Sequence, residues 1–213
     1  MMKKSILFLF LLTIGVSLLQ AQSAKGQFKG GVRAGLTTSQ VSGDDLAGFH
    51  KMGATAGLFA NVALNDNDNL KLQMGLDFTM KGSHSHTPKN HVSYDSYVLN
   101  LGYLEVPILL QWRFAHLTIR SIHDFWFEFG PMIGVNLYAR ERNASGPILF
   151  RLPFRRMEFS ACAGLSYMFN EHHGLNFRFS NSFIPVRIPD WAVNQRIMKQ
   201  FNTVLSLCYM YQF

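Results

Sequence analysis

Thr203-Val-Leu-Ser-Leu-Cys-Tyr-Met-Tyr-Gln-Phe213 is the stretch on which the reading of this chain turns. Alternate residues fall into two sets. Thr203, Leu205, Leu207, Tyr209, Tyr211 and Phe213 are apolar and become aromatic towards the end. Asn202, Val204, Ser206, Cys208, Met210 and Gln212 are small or mixed. A period of two marks a strand between two different environments. An outward apolar face ending in aromatics predicts the closing strand of a barrel in an outer membrane, with its aromatics at the membrane–water boundary and its end in the periplasm. On this stretch alone, an edge strand of a soluble sandwich fits as well.

The same alternation recurs upstream. Leu70, Leu72, Met74, Leu76, Phe78 and Met80 alternate with Lys71, Gln73, Gly75, Asp77, Thr79 and Lys81, which leaves little room for a helix. Further strands are expected over 28–37, 53–64, 97–114, 125–138, 156–169 and from Leu175. Pro107 lacks an amide donor and predicts a local bulge in the fourth strand. Connections 38–52, 82–96, 139–155 and 184–199 read as long, whereas 65–69, 115–124 and 170–174 read as short. Long loops on one side, short turns on the other and an even strand count are the pattern of an up-and-down membrane barrel. Each strand reaches the 9–11 residues or so that a tilted crossing needs. Phe28, Trp112, Phe114, Phe125, Phe127, Tyr167, Phe169, Tyr211 and Phe213 cluster beside the short turns as a periplasmic girdle. The predicted fold is all-β: an eight-stranded antiparallel up-and-down transmembrane β-barrel.

The N-terminus agrees with export. Met1-Met-Lys-Lys4 is basic, Ile6 to Leu19 is apolar, and Leu19-Gln20-Ala21 resembles a cleavage site before Gln22. We therefore expect a cleavable signal peptide over 1–21, a short segment over 22–27, and a barrel over 28–213. Removal of Lys3 and Lys4 takes the formal charge from +7 to +5. Only 15% of residues are charged, against about 25% in soluble domains, which points to an exterior not facing water. Nothing in the basic residues suggests nucleic acid, because no Lys/Arg cluster is interleaved with aromatics. Cys162 and Cys208 fall on inward faces of non-neighbouring strands and are expected to be free thiols.

On the inward parity lie Lys29, Arg33, Lys71, Asp77, Lys81, Glu105, Arg113, Glu128, Glu158 and Arg178. An unpaired buried charge costs several kcal/mol, so mixed signs predict an ion-pair network that plugs a lumen only as wide as its side chains. Inward glycines, among them Gly57, Gly75 and Gly164, would make room for it.

Tyr103-Leu-Glu-Val-Pro-Ile-Leu-Leu-Gln-Trp112 closely resembles the YLEIPLLLKY strand of small outer-membrane barrels of the PorT-like type. Gly31 to Leu36, Phe127 to Gly134 and Ala163 to Tyr167 resemble further strands of that family, so that the resemblance spans about residues 28–213. It implies an eight-stranded outer-membrane barrel in a Gram-negative bacterium. The founding PorT protein is tied to type IX protein secretion, which implies secretion components as partners. Outer-membrane lipid and lipopolysaccharide, and the barrel-assembly machinery during insertion, are the other partners expected.

Other chemistry reads weakly. His84-Ser-His86, with His91, Asp95 and His50, has one metal-like spacing but no further ligand set. Ser83, His84, Ser85, His86, Ser93 and Asp95 would lie near an outer rim, as in barrel enzymes acting on lipid A, yet nothing fixes a base–nucleophile pair. A lipocalin-like binder also has eight strands, but requires its charges outside. The preferred reading is a non-enzymatic barrel without cofactor, acting through loops or envelope partners. Arg140, Arg142, Arg151, Arg155 and Arg156, with only Glu141 among them, are expected to meet anionic lipopolysaccharide headgroups.

Overall fold

The computed structural model describes residues 28–43, 48–85, 97–119, 121–143, 146–148, 154–187 and 199–213. Ala21 and Gln22 of the expected cleavage site, His86, His91, Ser93, Asp95 and Arg151 lie outside the described residues.

Eight long strands form the wall: β1 Phe28–Ser42, β2 Lys51–Ala63, β3 Leu70–His84, β4 Val98–Ile119, β5 Ser121–Asn143, β6 Met157–Met168, β7 His173–Ser182 and β8 Phe201–Gln212. Each is antiparallel to its sequence neighbour. β8 returns to β1, with Val32 opposite Tyr211 and Leu36 opposite Leu207, and so closes the barrel. Closure is what lipid demands, since it offers no partner to an open sheet edge.

Side-chain parity follows the alternation. Leu58, Met74, Leu76, Phe78, Trp112, Phe129, Leu165, Phe177 and Leu207 are exposed on the outer wall. Arg33, Asp77, Lys81, Glu105, Glu128, Glu158 and Arg178 are all buried. A lipocalin-like barrel has the opposite parity. The girdle is continuous from β4 to β6: ring centroids are 6.5 Å apart for Trp112–Phe114, 6.1 Å for Phe114–Phe125, 4.6 Å for Phe125–Tyr167 and 5.7 Å for Tyr167–Phe169. Its rings lie at the end with the short turns, as expected of an aromatic girdle at one interface.

Four expectations are corrected. Residues 115–124 are not a loop: Ala115 pairs with Phe125, and the ladder runs on to Ile119 opposite Ser121. The register shifts by one residue between Arg113 and Ala115, and pairing continues beyond it. Residues 139–155 are not all loop either, because β5 runs to Asn143 and the two-residue strand Gly146–Pro147 pairs back onto it. Pro107 causes no register shift. The β4–β5 irregularities lie at Gly102/Tyr103 and Arg113/Ala115, while Pro107 sits in register opposite Met132. Thr203 is buried rather than open to lipid; it keeps the outward parity, opposite exposed Asn181, whose Oδ1 accepts from its hydroxyl at 2.8 Å.

Candidate functional site: the closed lumen and its two mouths

The lumen is filled in layers. In the middle, the Arg33 guanidinium spans both carboxylate oxygens of Asp77, with Nε 2.8 Å from Oδ1, and Nη1 donates to Gln73 Oε1 at 3.1 Å. Gln73 Oε1 also accepts from Arg178 Nη2 at 2.5 Å. Arg178 pairs through Nε with Glu128 and lies 3.8 Å from Asp77. Glu128 accepts further bonds from Gln111 at 2.9 Å, Asn176 at 2.9 Å and Ser166 at 3.4 Å. Five strands converge on this one carboxylate and its guanidinium partner. Such saturation is what makes buried charge tolerable in a low dielectric.

Above it, Lys81 Nζ lies 2.5 Å from Glu105 and 2.8 Å from Glu158, and 4.8 Å over the Tyr103 ring. Ser160 and Asn202 donate to Glu158 at 2.8 Å and 2.6 Å. Higher still, the layer turns apolar: Val41, Leu99, Leu101 and Tyr103 are wholly buried together, with Tyr97 and Phe154 against them. Beside this cap, Arg187 pairs with Glu141 at 2.5 Å and lies 4.0 Å over the Phe154 ring.

Small residues in the wall let the long side chains in. A Cβ on Gly57 would stand 2.1 Å from Asp77 Oδ1 and 2.4 Å from the Leu76 carbonyl oxygen. One on Gly75 would stand 2.7 Å from Arg33 Nη2, and one on Gly164 2.9 Å from Glu128 Oε1. Gly57→Val is therefore expected to overpack the Arg33–Asp77 pair and cost about 1–3 kcal/mol. The midpoint of urea unfolding in lipid vesicles reads this, and an unchanged midpoint would show that the pair has room to move.

Of the ten charges assigned to the lumen, Arg33, Asp77, Lys81, Glu105, Glu128, Glu158 and Arg178 meet one another there. Arg113 instead sits at the periplasmic mouth, 3.4 Å from Asp124, which also lies 2.5 Å from His116. Lys29 and Lys71 form no ion pair among the described residues; they line the wall of that mouth, with Lys71 Nζ 4.0 Å over the Trp126 ring. The neutral partners Gln73, Gln111, Asn176, Ser160, Ser166 and Asn202 were missed, as was the Leu99–Leu101 cap. Their inward parity was readable, but their pairing depends on register across strands. Cys162 and Cys208 are free, buried, and line one small cavity of about 30 Å³ beside Arg33 and Arg178.

At the outer rim, the irregularity at Gly102/Tyr103 shifts β5 by one residue, so that Tyr138 stands opposite Gly102 and Asn136 opposite Tyr103. The shift sends Glu141 inward and leaves Arg140 and Arg142 exposed. Arg155 and Arg156 are exposed as well. Ser83 is buried, His84 is exposed, and Ser85 accepts the Tyr97 amide at 2.8 Å. Among the described residues no group of three His, Cys, Asp or Glu is placed to hold a metal ion. His172 contacts the Gln212 carbonyl at 2.8 Å in the periplasmic turn, next to Tyr211.

A closed antiparallel barrel with a lipid-facing apolar wall, one aromatic girdle and a charged interior defines an integral outer-membrane β-barrel protein of a Gram-negative bacterium. The chain belongs to the family described as Outer membrane protein beta-barrel domain, whose model matches residues 20–187. Strand β8 lies past that match, yet supplies the closure. Among solved structures, Ail, the attachment invasion locus protein of Yersinia pestis, is similar at 11% identity, with 88% of this chain and 99% of that chain covered and a TM-score of 0.50. OprG from Pseudomonas aeruginosa follows at 12% identity, 88% and 97% coverage and a TM-score of 0.47. Neisserial surface protein A follows at 12% identity, 87% and 97% coverage and 0.44. At such identities the likeness to Ail speaks for the fold alone, and the lower scores add no argument. No curated protein matches the sequence.

Proposed function

We propose that this chain is a non-enzymatic, non-conducting barrel that works at its outer rim rather than by passing solutes. The observation that carries this reading is the filled lumen: Lys81, Glu128 and Glu158 are at most 2% exposed, beneath a cap of Leu99 and Leu101 at 0%. In planar bilayers, the purified protein should show no stepwise conductance at moderate voltage. Regular, salt-dependent single-channel steps would reject the reading.

The rim supplies the proposed work. Arg140, Arg142, Arg155 and Arg156 are exposed just above the apolar band and form no ion pair among the described residues, so they suit the phosphates of lipopolysaccharide. Replacing Arg140 and Arg142 with alanine should lower lipopolysaccharide co-purification severalfold; equal recovery would remove this contact from the account. The alternative, a PorT-type component of type IX secretion, rests on Tyr103–Trp112. Tyr103, Glu105, Leu109 and Gln111 of that stretch are buried in the plug, so the motif already has a structural use. Cargo accumulating in the periplasm after deletion would favour the secretion role.

A further inference from the structure

The periplasmic mouth holds a feature that neither the plug nor the outer rim uses. Below the layer of Gln73 and Gln111 lies a cavity of about 250 Å³, edged by the turn residues Asp68, Asn170 and Glu171. Gln73 and Gln111 are buried and committed to Arg33, Arg178 and Glu128, so the cavity is blind: it opens to the periplasm and ends at the plug. Its inner wall is of two kinds. Phe59, Trp126 and Met210, all 5% exposed or less, give an apolar floor. Lys29 and Lys71 bring two ammonium groups that repel each other and form no ion pair among the described residues. Asp124, which also lines the cavity, is engaged by Arg113 and His116. Asn61 also lines the cavity, 6% exposed, and its Oδ1 has no hydrogen-bond partner among the described residues.

A plug needs none of this. Lys71 feels the nearby carboxylates of Asp68 and Asp124 as well as the repulsion of Lys29, but neither acid makes an ion pair with it among the described residues, whereas the plug satisfies each of its charges by direct contact. The arrangement makes sense if an anion completes it. The volume sets the size of the guest, since a cavity of about 150 Å³ holds benzene. The floor sets its character: an aromatic or aliphatic body on Phe59 and Met210 and against the part of Trp126 that Lys71 and Arg113 leave uncovered, a carboxylate on the two ammonium groups, and an N–H donor for Asn61 Oδ1.

We propose that this blind mouth is a binding site for a small organic carboxylate with an apolar body and an amide N–H. That chemistry belongs both to free N-acylated apolar amino acids and to the C-terminal residue of a periplasmic peptide. The site is independent of the outer-rim reading, because it lies on the other side of the plug.

The test is calorimetric titration of the full-length protein in lipid nanodiscs. N-acetylphenylalanine should bind saturably, and N-acetylphenylalaninamide, which lacks only the charge, should bind at least tenfold more weakly. The double variant Lys29→Gln/Lys71→Gln should lose at least tenfold towards the acid, with its fold checked by heat-modifiable migration. Tighter binding of an octapeptide ending in phenylalanine supports the site and assigns it to chain ends; binding of the small acid alone supports it and assigns it to free acids. Absence of binding, or equal binding of acid and amide by the unsubstituted protein, overturns the proposal whether or not the variant folds. Neither result bears on conductance or lipopolysaccharide.

Discussion

Glu128→Ala is expected to lower the stability of the barrel in lipid vesicles by about 3–5 kcal/mol, the cost of breaking a buried ion pair from one side. Glu128 is 0% exposed and accepts from Arg178, Gln111, Asn176 and Ser166. Alanine would leave the Arg178 guanidinium with Gln73 Oε1 and, as its one carboxylate among the described residues, Asp77, 3.8 Å away and already held by Arg33; it would strip Gln111 Nε2 of its acceptor and leave Asn176 Nδ2 with Ser166 alone. Urea unfolding followed by heat-modifiable migration measures the loss. The pairing explanation makes a second demand. Replacing Glu128 with leucine and Arg178 with methionine together should recover part of the stability, because the exchange for apolar groups of similar volume removes the unpaired charge but still leaves Gln111 without its acceptor. A single substitution costing under about 1 kcal/mol would mean that water reaches the lumen and solvates the abandoned charge.

Leu207→Arg should cost about 2–4 kcal/mol, the penalty of a cation on the lipid face near the bilayer midplane. Leu207 is 54% exposed, lies halfway along β8, and stands between Leu36 and Phe177 on the neighbouring strands. In a water-soluble barrel the same site would be an ordinary surface position, where substitutions change stability by about 0.5 kcal/mol or less. The size of the effect in vesicles therefore separates the two environments. Leu207→Phe serves as the control and should be close to neutral.

Much of the architecture was legible because one rule covers the whole wall. A period of two assigns each residue a side, and that assignment puts Lys81 and Glu128 inside and Phe78 and Leu207 outside. The rule fails where the backbone departs from it. The one-residue shift at Gly102/Tyr103 reverses β5 beyond Asn136, which is why Glu141 ends inside beside Arg187 while Arg140 and Arg142 face out. No local signal in 136–142 marks this, since the shift is set by how β4 meets β5. Turn lengths erred for a related reason: residues 115–119 carry no Gly or Pro to stop the strand, and pairing simply continued. Pro107 drew attention as a missing donor, yet the strand absorbed it in register. Within the lumen, sign and side were readable, but partners were not. Arg33 and Asp77 are 44 residues apart, and only the stagger of three strands brings them together. Lys29 and Lys71 share the parity of the plug but lie too near the periplasmic end to reach it, so they line the mouth instead. Position along the barrel axis, unlike facing, is invisible to alternation.

The central claim is that the apolar face of each strand meets lipid while the other face is closed off from both lipid and water. Methyl-labelled protein in nanodiscs tests it without any substitution, because leucines and valines fall on both faces. A doxyl-labelled lipid should broaden the methyl signals of Leu76, Leu104, Val135 and Leu207, all exposed on the outer wall, and spare Leu99, Leu101, Leu109 and Val204, all buried inside. A water-soluble gadolinium chelate should leave both sets sharp. Broadening of Leu76, Leu104, Val135 and Leu207 by gadolinium, with no effect from the doxyl lipid, would contradict the account.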